Sequence, residues 1–495
     1  MNTNIAYGLM LATLGFFGYI GYQAATKKEL NADEYHSARG TQNWLRIGLS
    51  LFASGMGIWI LFGPSEVGYW GGFWDVTGYA VSAATPFLLL AYVGPKIRQR
   101  LPDGVTLADY VRMRIGRPMQ IYVGVISVVY MFTFLFAEFT AIGKAMSVLS
   151  DMEPLIPMIA VGLVTAAYTA YGGLPASLQT DRFQAWVVLW LIVALFLVLF
   201  AGDMSNLISD AKAYNPEGAE NWSIGSMSYM DSFKSGLALV VAITAAEMFS
   251  QGNWQRAWAS EDEEALKKGS LLAAAMVLPL VFLMGVLGTV AAAKGTAEDP
   301  SAAFFVLLED ANLLIISGFI VLGIALVCSS VDTLQNAISA SITRDLSDGK
   351  MELNHARIAT VAMIPIAIYL ATGPTIGNFT FDAGSVFGIF LFADLLAAAT
   401  VLPVLLTLWD RIDSRASLVG AVCGLLSVVI YGIYTADLST GIGYLISPTN
   451  EFELANLEVF LSALIGSGLV TILASEIWPK GNNGIKTSQS EFESE

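Results

Sequence analysis

The sequence predicts an all-α polytopic membrane protein, and three observations carry that class. Hydrophobic residues make up 55% of the 495 and charged residues only 13%, about half the charged share of an ordinary soluble domain. Mean hydropathy is +0.62, and no polar linker interrupts the apolar excess. Thirteen stretches approach the about 20 apolar residues that a helix needs to cross a bilayer core. They fall at 4–25, 45–69, 74–97, 119–149, 153–171, 182–200, 231–251, 268–293, 311–341, 357–372, 384–408, 416–434 and 457–477.

Composition also excludes alternatives. A soluble multidomain enzyme and a disordered chain do not fit this apolar excess. A net charge of −16 argues against binding nucleic acid or lipid headgroups through bulk electrostatics. Cys328 and Cys423 sit in apolar runs without metal spacing, and His36 and His355 fall in short polar connectors, where solvated loop positions are expected. No grouping of nucleophile, base and metal ligand suggests an enzyme.

Taken in order, the first stretch differs from a signal peptide. Met1-Asn2-Thr3-Asn4 carries no positive charge and Lys27-Lys28 follow the apolar run, so a retained helix with its N-terminus outside is expected. With that orientation 21 of the 25 basic residues fall on cytoplasmic segments, as the positive-inside bias requires. The loops near 202–230, 294–310 and 435–456 are acid-rich and fall outside. Pro102–Pro118 reads as a short amphipathic helix packed on the cytoplasmic face. The long ninth stretch is expected to project polar last turns, Gln335 through Asp345, into the cytoplasm, and the tail after Pro479 is polar.

Charge and loosened backbone within a span are costly, which makes them informative. The second span holds Ala53-Ser54-Gly55-Met56-Gly57, and each glycine lowers helix stability by about 1 kcal/mol relative to alanine. Two readings stand for these glycines: an unwound stretch whose carbonyls face a cation, or close helix packing. Ser329-Ser330 on the ninth span either supply two neutral oxygens to Na⁺ or bond the carbonyls one turn back. Glu138, Glu247 and Asp394 lie deep in spans. Lys144 is one candidate partner for Glu138, and Asp394 reads as a structural, hydrogen-bonded acid. Asp181 and Asp332 sit near cytoplasmic ends, where water would reach them.

Longer motifs carry a resemblance. Tyr171-Gly172-Gly173-Leu174 with Thr180-Asp181-Arg182-Phe183-Gln184, then Ser329-Ser330 with Asp332 and Asn336, then Ser341-Ile342-Thr343-Arg344-Asp345, are similar to signatures of the sodium:solute symporter family. The likeness covers nearly the whole chain. It implies a LeuT-type fold of two inverted five-helix repeats, with one extra helix before and two after. The division is then 1–44 for the extra helix and cytoplasmic loop, 45–200 for the first repeat and 201–230 for an extracellular loop. The second repeat takes 231–408, the last two helices 409–478 and the cytoplasmic tail 479–495.

The resemblance also implies a sodium site from the carbonyls of Ala53, Met56 and Leu326 and the hydroxyls of Ser329 and Ser330, with Asp181 helping the ion leave towards the cytoplasm. The stretch Ser54–Trp59 resembles proline carriers, although Gly55 stands where those have an aspartate. Trp254-Gln255-Arg256-Ala257 looks like a run in urea and polyamine carriers. The expected solute pocket faces Gly57, Trp59 and Ile60 across to Ala246 and Glu247, with Glu138 as a further acid. The implied activity is sodium-coupled import of a small polar solute (amino acid, urea or amine) by alternating access. A bacterial inner membrane is expected, with the lipid bilayer, Na⁺ and solute as partners, no nucleic acid, and a monomer sufficient. A proton-coupled or uncoupled carrier, or a transporter-like sensor, are the competing readings.

Overall fold

A computed structural model describes residues 1–27, 29–200, 230–294, 299–309, 311–376, 379–380, 385–451 and 454–478. The described chain is nearly all helix. In order it forms α1 (Thr3–Ala25), α2 (Ala32–Ser37), α3 (Trp44–Gly55), a 3₁₀ turn (Ile58–Leu61), α4 (Gly63–Trp70), α5 (Phe73–Arg100), α6 (Leu107–Ile115), α7 (Arg117–Ser150) and α8 (Leu155–Phe200). There follow α9 (Met230–Glu247), α10 (Gln251–Ala259), α11 (Glu263–Lys294), α12 (Ala303–Val306), α13 (Leu313–Ala340), α14 (Leu353–Ala371), α15 (Val386–Leu405), α16 (Ser414–Thr435), α17 (Leu438–Ile446) and α18 (Leu457–Ile477). A two-residue β-hairpin, Thr375–Ile376 with Phe379–Thr380, departs from the all-helical expectation.

Ten of the described helices are long and apolar enough to cross a membrane, or twelve spans if two bent pairs each count as one. The sequence stretches 153–171 and 182–200 run together as α8, which breaks its helical course at Gly173 (φ 52°). That glycine faces the Tyr35 backbone so closely that a Cβ would collide with it, so both the dihedral and the packing require glycine. The 202–230 loop, except Met230, and the tail from 479 lie outside the described residues.

Close helix packing builds the centre. A Cβ on Gly78 of α5 would strike the backbone of Gly236 on α9, and one on Gly68 of α4 would strike Gly285 on α11. Small residues let these backbones touch, the usual means of joining helices where lipid removes the hydrophobic drive. α6 buries Leu107, Ala108, Tyr110 and Val111, so the amphipathic segment packs on the protein as expected.

Two expectations are corrected here. Gln335 and Asn336 are fully buried; they bond Thr165 (3.0 Å) and Gln255 (3.3 Å), because α8 and α10 cover the end of α13. His36 is also buried, at 3% exposure, against Tyr35 and the Thr343 hydroxyl (3.3 Å). Burial, helped by Arg344, pushes its pKa down to about 3, so it sits there as neutral imidazole.

Candidate functional site

The first broken helix starts from glycine chemistry. α3 stops at Gly55, Met56 leaves the helical region (φ −98°, ψ 81°), and the chain turns through 58° before resuming at Ile58. Stopping a helix strands its last carbonyls and the next segment's first N–H groups. Among the described residues no backbone N–H beyond the helix reaches the carbonyls of Ala53 or Met56. The stranded donors do find a partner: Ile58 N–H and Trp59 N–H donate to the Glu138 carboxylate at 2.9 and 3.3 Å. An anion at a helix start is favoured by the free N–H groups and the dipole alike. A Cβ on Gly57 would collide with that carboxylate, so a larger residue there would displace the cap.

Ser330 completes the Glu138 shell, donating to Oε2 at 2.6 Å while lying 3.3 Å from the Leu326 carbonyl. Glu138 is therefore fully buried with three donors, and Lys144 instead pairs with Asp299 (3.2 Å). Ser329 donates to Asp181 Oδ1 at 2.6 Å. Each serine thus spends its proton on a carboxylate and keeps its lone pairs for another partner. Asp181 also accepts from Ser50 of α3 (2.5 Å), and Glu138 holds Ile58, so the serine pair is tied to the broken helix on both sides of Ala53–Met56. Ala53, Met56, Leu326, Ser329 and Ser330 are all nearly or fully buried.

Water does not reach Asp181 and Asp332, contrary to expectation; both are fully buried and are compensated by protein groups. Arg256 of α10 donates to Asp181 at 2.7 Å, to Ser50 at 2.7 Å and to Thr333 at 2.8 Å. Asp332 accepts from the hydroxyls of Tyr168 (2.6 Å), Ser177 (2.7 Å) and Thr180 (3.0 Å). Arg256 is the partner that sequence reasoning missed. A buried arginine just after a break in a span is the signal that could have found it.

The second broken helix bends by the same 58° between Glu247 and Gln251. Its turn is closed from within: Phe249 N–H bonds Ala246 O (2.9 Å), Ser250 N–H bonds Glu247 O (3.2 Å) and Trp254 Nε1 bonds Met248 O (2.8 Å). Glu247 accepts from the Tyr130 hydroxyl (2.7 Å) and Asn253 (2.8 Å), and is only partly buried. Trp59 packs against Tyr79 (centroids 5.9 Å), which meets Phe387 of α15 (6.1 Å). Ile60 and Ala246 are fully buried. Asp394 of α15 is 3% exposed, yet it accepts no hydrogen bond among the described residues, so the structural role expected of it is corrected.

Two helices interrupted midway beside buried hydroxyls and carboxylates match a membrane transporter of the broken-helix kind. The sequence pattern of the sodium:solute symporter family matches residues 35–424, and the chain belongs to that family. Among its relatives, the spermidine transporter DUR31 of Candida albicans is 28% identical over 96% of this chain and 88% of its own length. The sodium/proline symporter 2 of Staphylococcus saprophyticus is 24% identical over 88% and 87%. In fold, the chain is similar to a Na⁺-coupled sialic acid symporter solved in a substrate-bound, outward-open state, with a TM-score of 0.75 over 96% of this chain and 97% of that one, at 13% identity.

Proposed function

We propose that this transporter is a sodium-coupled symporter that imports a small amine-bearing solute by alternating access. The observation that carries the reading is the serine pair: two hydroxyls whose protons are engaged by Asp181 and Glu138, beside a helix break with unbonded carbonyls. Neutral oxygens from Ala53, Met56, Leu326, Ser329 and Ser330 suit a monovalent ion that must also leave. Two carboxylates just behind them add the negative charge that makes Na⁺ welcome in a low-dielectric interior. Asp181 lies on the cytoplasmic side of this group, where the Arg256 guanidinium competes for it; that pairing supports its role in ion exit.

Trp59, Gly57, Ile60, Ala246 and Glu247 form the solute side. Glu138 belongs with the ion side by its contacts, which leaves Glu247 as the acid directed at the solute. A spermidine transporter among the relatives supports an amine class, and sodium/proline symporters support the coupling ion. The basic-residue bias supports an N-terminus outside and a C-terminus in the cytoplasm. Each charge moved inward through 100 mV contributes about 2.3 kcal/mol to accumulation.

Uptake into proteoliposomes under an inward Na⁺, K⁺ or proton gradient tests the reading. Uptake that follows the Na⁺ gradient alone is expected; uptake that follows only the proton gradient would replace this function with proton coupling.

A further inference from the structure

A cleft of about 850 Å³ lies away from both helix breaks, between the last two turns of α1, the stretch of α8 before Gly173 and the start of α14. α1 ends at Ala25 and α14 begins at Leu353, so the cleft sits where spans meet the polar surface. Tyr22, Val164 and Leu353 give it apolar walls. Tyr22 and Tyr171 are exposed there, as tyrosines at a membrane boundary commonly are. Two opposite charges line this cleft and do not pair. Arg357 of α14 lies over the face of Tyr171, its guanidinium carbon 5.6 Å from the ring centre. Its Nη1 reaches Asn354 only at 3.5 Å, and its Nε is closed to water with no acceptor among the described residues. Glu29 lines the same cleft, is exposed, and forms no ion pair or hydrogen bond among the described residues. A guanidinium held flat and so poorly satisfied keeps donors for an anion, and its planar N–H groups match phosphate oxygens. Glu29 alone would repel that anion. A ligand that satisfies both residues therefore carries a cation beside its phosphate.

We propose that this cleft is a lipid site for phosphatidylethanolamine, with the phosphate on Arg357, the ammonium on Glu29 and one acyl chain along Tyr22, Val164 and Leu353. A choline headgroup has no N–H to donate to Glu29, and a glycerol headgroup brings no positive charge to it. Recognition of a zwitterion needs no broad basic surface, which suits a chain of net charge −16. The buried side of the cleft is Tyr168 of α8, whose hydroxyl donates to Asp332 on α13 at 2.6 Å. The bound lipid thus rests against the side chain that joins α8 to α13. The site uses none of the ion or solute residues and does not depend on the symport reading.

The test titrates the full-length protein in detergent with dioleoyl phosphatidylethanolamine, phosphatidylcholine and phosphatidylglycerol, and reads the first bound lipid by native mass spectrometry. The apparent Kd for the ethanolamine lipid is expected to be about fivefold lower than for either of the others. Glu29→Gln is expected to raise it to the choline value while leaving choline lipid binding unchanged. Arg357→Gln is expected to weaken the ethanolamine and choline lipids alike, by about fivefold. If Arg357→Gln does not fold, Glu29→Gln, at an exposed position, and the lipid comparison still decide. Glycerol lipid bound as tightly as ethanolamine lipid by the wild-type protein would overturn the proposal, because Glu29 would then play no part. Three lipids bound equally and untouched by either substitution would overturn it too, leaving only the surrounding lipid layer. Glycerophosphoethanolamine, the headgroup without its chains, is expected not to displace the lipid at equal concentration. Displacement by it would make this a site for a free phosphodiester and would overturn the lipid assignment.

Discussion

The two helix breaks bend by the same angle and are held in opposite ways. At the first, between Gly55 and Ile58, the stranded N–H groups are capped from outside by Glu138, delivered by α7. At the second, between Glu247 and Gln251, the chain closes its own turn with bonds from Phe249, Ser250 and Trp254. The consequence is a division of labour between acids. Glu138 is consumed by the backbone and by Ser330, so it stabilises the fold. Glu247 owes nothing to its break's amides and stays partly exposed, as the proposed solute role requires. An acid at a broken helix is thus no marker of a binding site until its donors are counted.

Removing the cap should break the first site and spare the second. Glu138→Ala leaves two buried N–H groups without an acceptor and Ser330 with only the carbonyls of Leu326 and Val327, each lost bond to a charged group contributing about 1.5–3 kcal/mol. Even with relaxation, a loss of about 4 kcal/mol of stability is expected, read as a large fall in melting temperature and yield in detergent. A melting temperature equal to that of the wild-type protein would show that the break is held by something else.

Asp181 is where the two broken helices meet, since Ser50 of α3 and Arg256 of α10 both bond it. Breaking a buried ion pair costs about 3–5 kcal/mol. Asp181→Asn keeps an acceptor oxygen, so a smaller loss of about 2–3 kcal/mol is expected, together with slower turnover. Na⁺-induced thermal stabilisation should persist, because the side chain stands behind Ser329. Its complete loss would make Asp181 a direct ligand.

Glu247→Gln probes the second break alone. An increase of at least tenfold in the KM of an amine solute is expected, about 1.4 kcal/mol, with melting temperature and Na⁺ response kept. Unchanged KM with reduced yield would instead give Glu247 the structural role that Glu138 has.

How much of this was legible in the sequence follows from range. The loosened helix, the serine pair, Asp181 and Glu247 announce themselves locally, as glycines or polar groups inside apolar runs. Partners do not. Glu138 meets Ile58 across 80 residues and Ser330 across 192, and Arg256 meets Asp181 across 75. Local pattern therefore offered Lys144, six residues from Glu138, as its partner. The same limit hid the burial of His36, whose Thr343 contact spans 307 residues. Asp394 failed differently: as an acid deep in a helix it was expected to be paired, and its lack of a partner is visible only in three dimensions.

The smallest expected effect separates the two serines, and it sharpens the comparison most. Ser329 and Ser330 are neighbours on α13 and each offers one oxygen in the proposed ion site, so losing either should weaken Na⁺ about equally. A contribution of about 1 kcal/mol from one neutral oxygen corresponds to about a fivefold higher Na⁺ concentration at half-maximal uptake. Their protons, however, serve different acids. Ser330→Ala takes one of three donors from Glu138, which has no lysine or arginine bonded to it among the described residues, whereas Ser329→Ala leaves Asp181 with Ser50 and the Arg256 guanidinium. Ser330→Ala should therefore also lower the melting temperature, while Ser329→Ala should shift the Na⁺ curve with little change in stability. If both variants keep the wild-type Na⁺ activation curve, the ion site lies elsewhere. If both shift it but melt alike, the cap at the first break does not depend on Ser330, and the two N–H groups of Ile58 and Trp59 hold Glu138 by themselves.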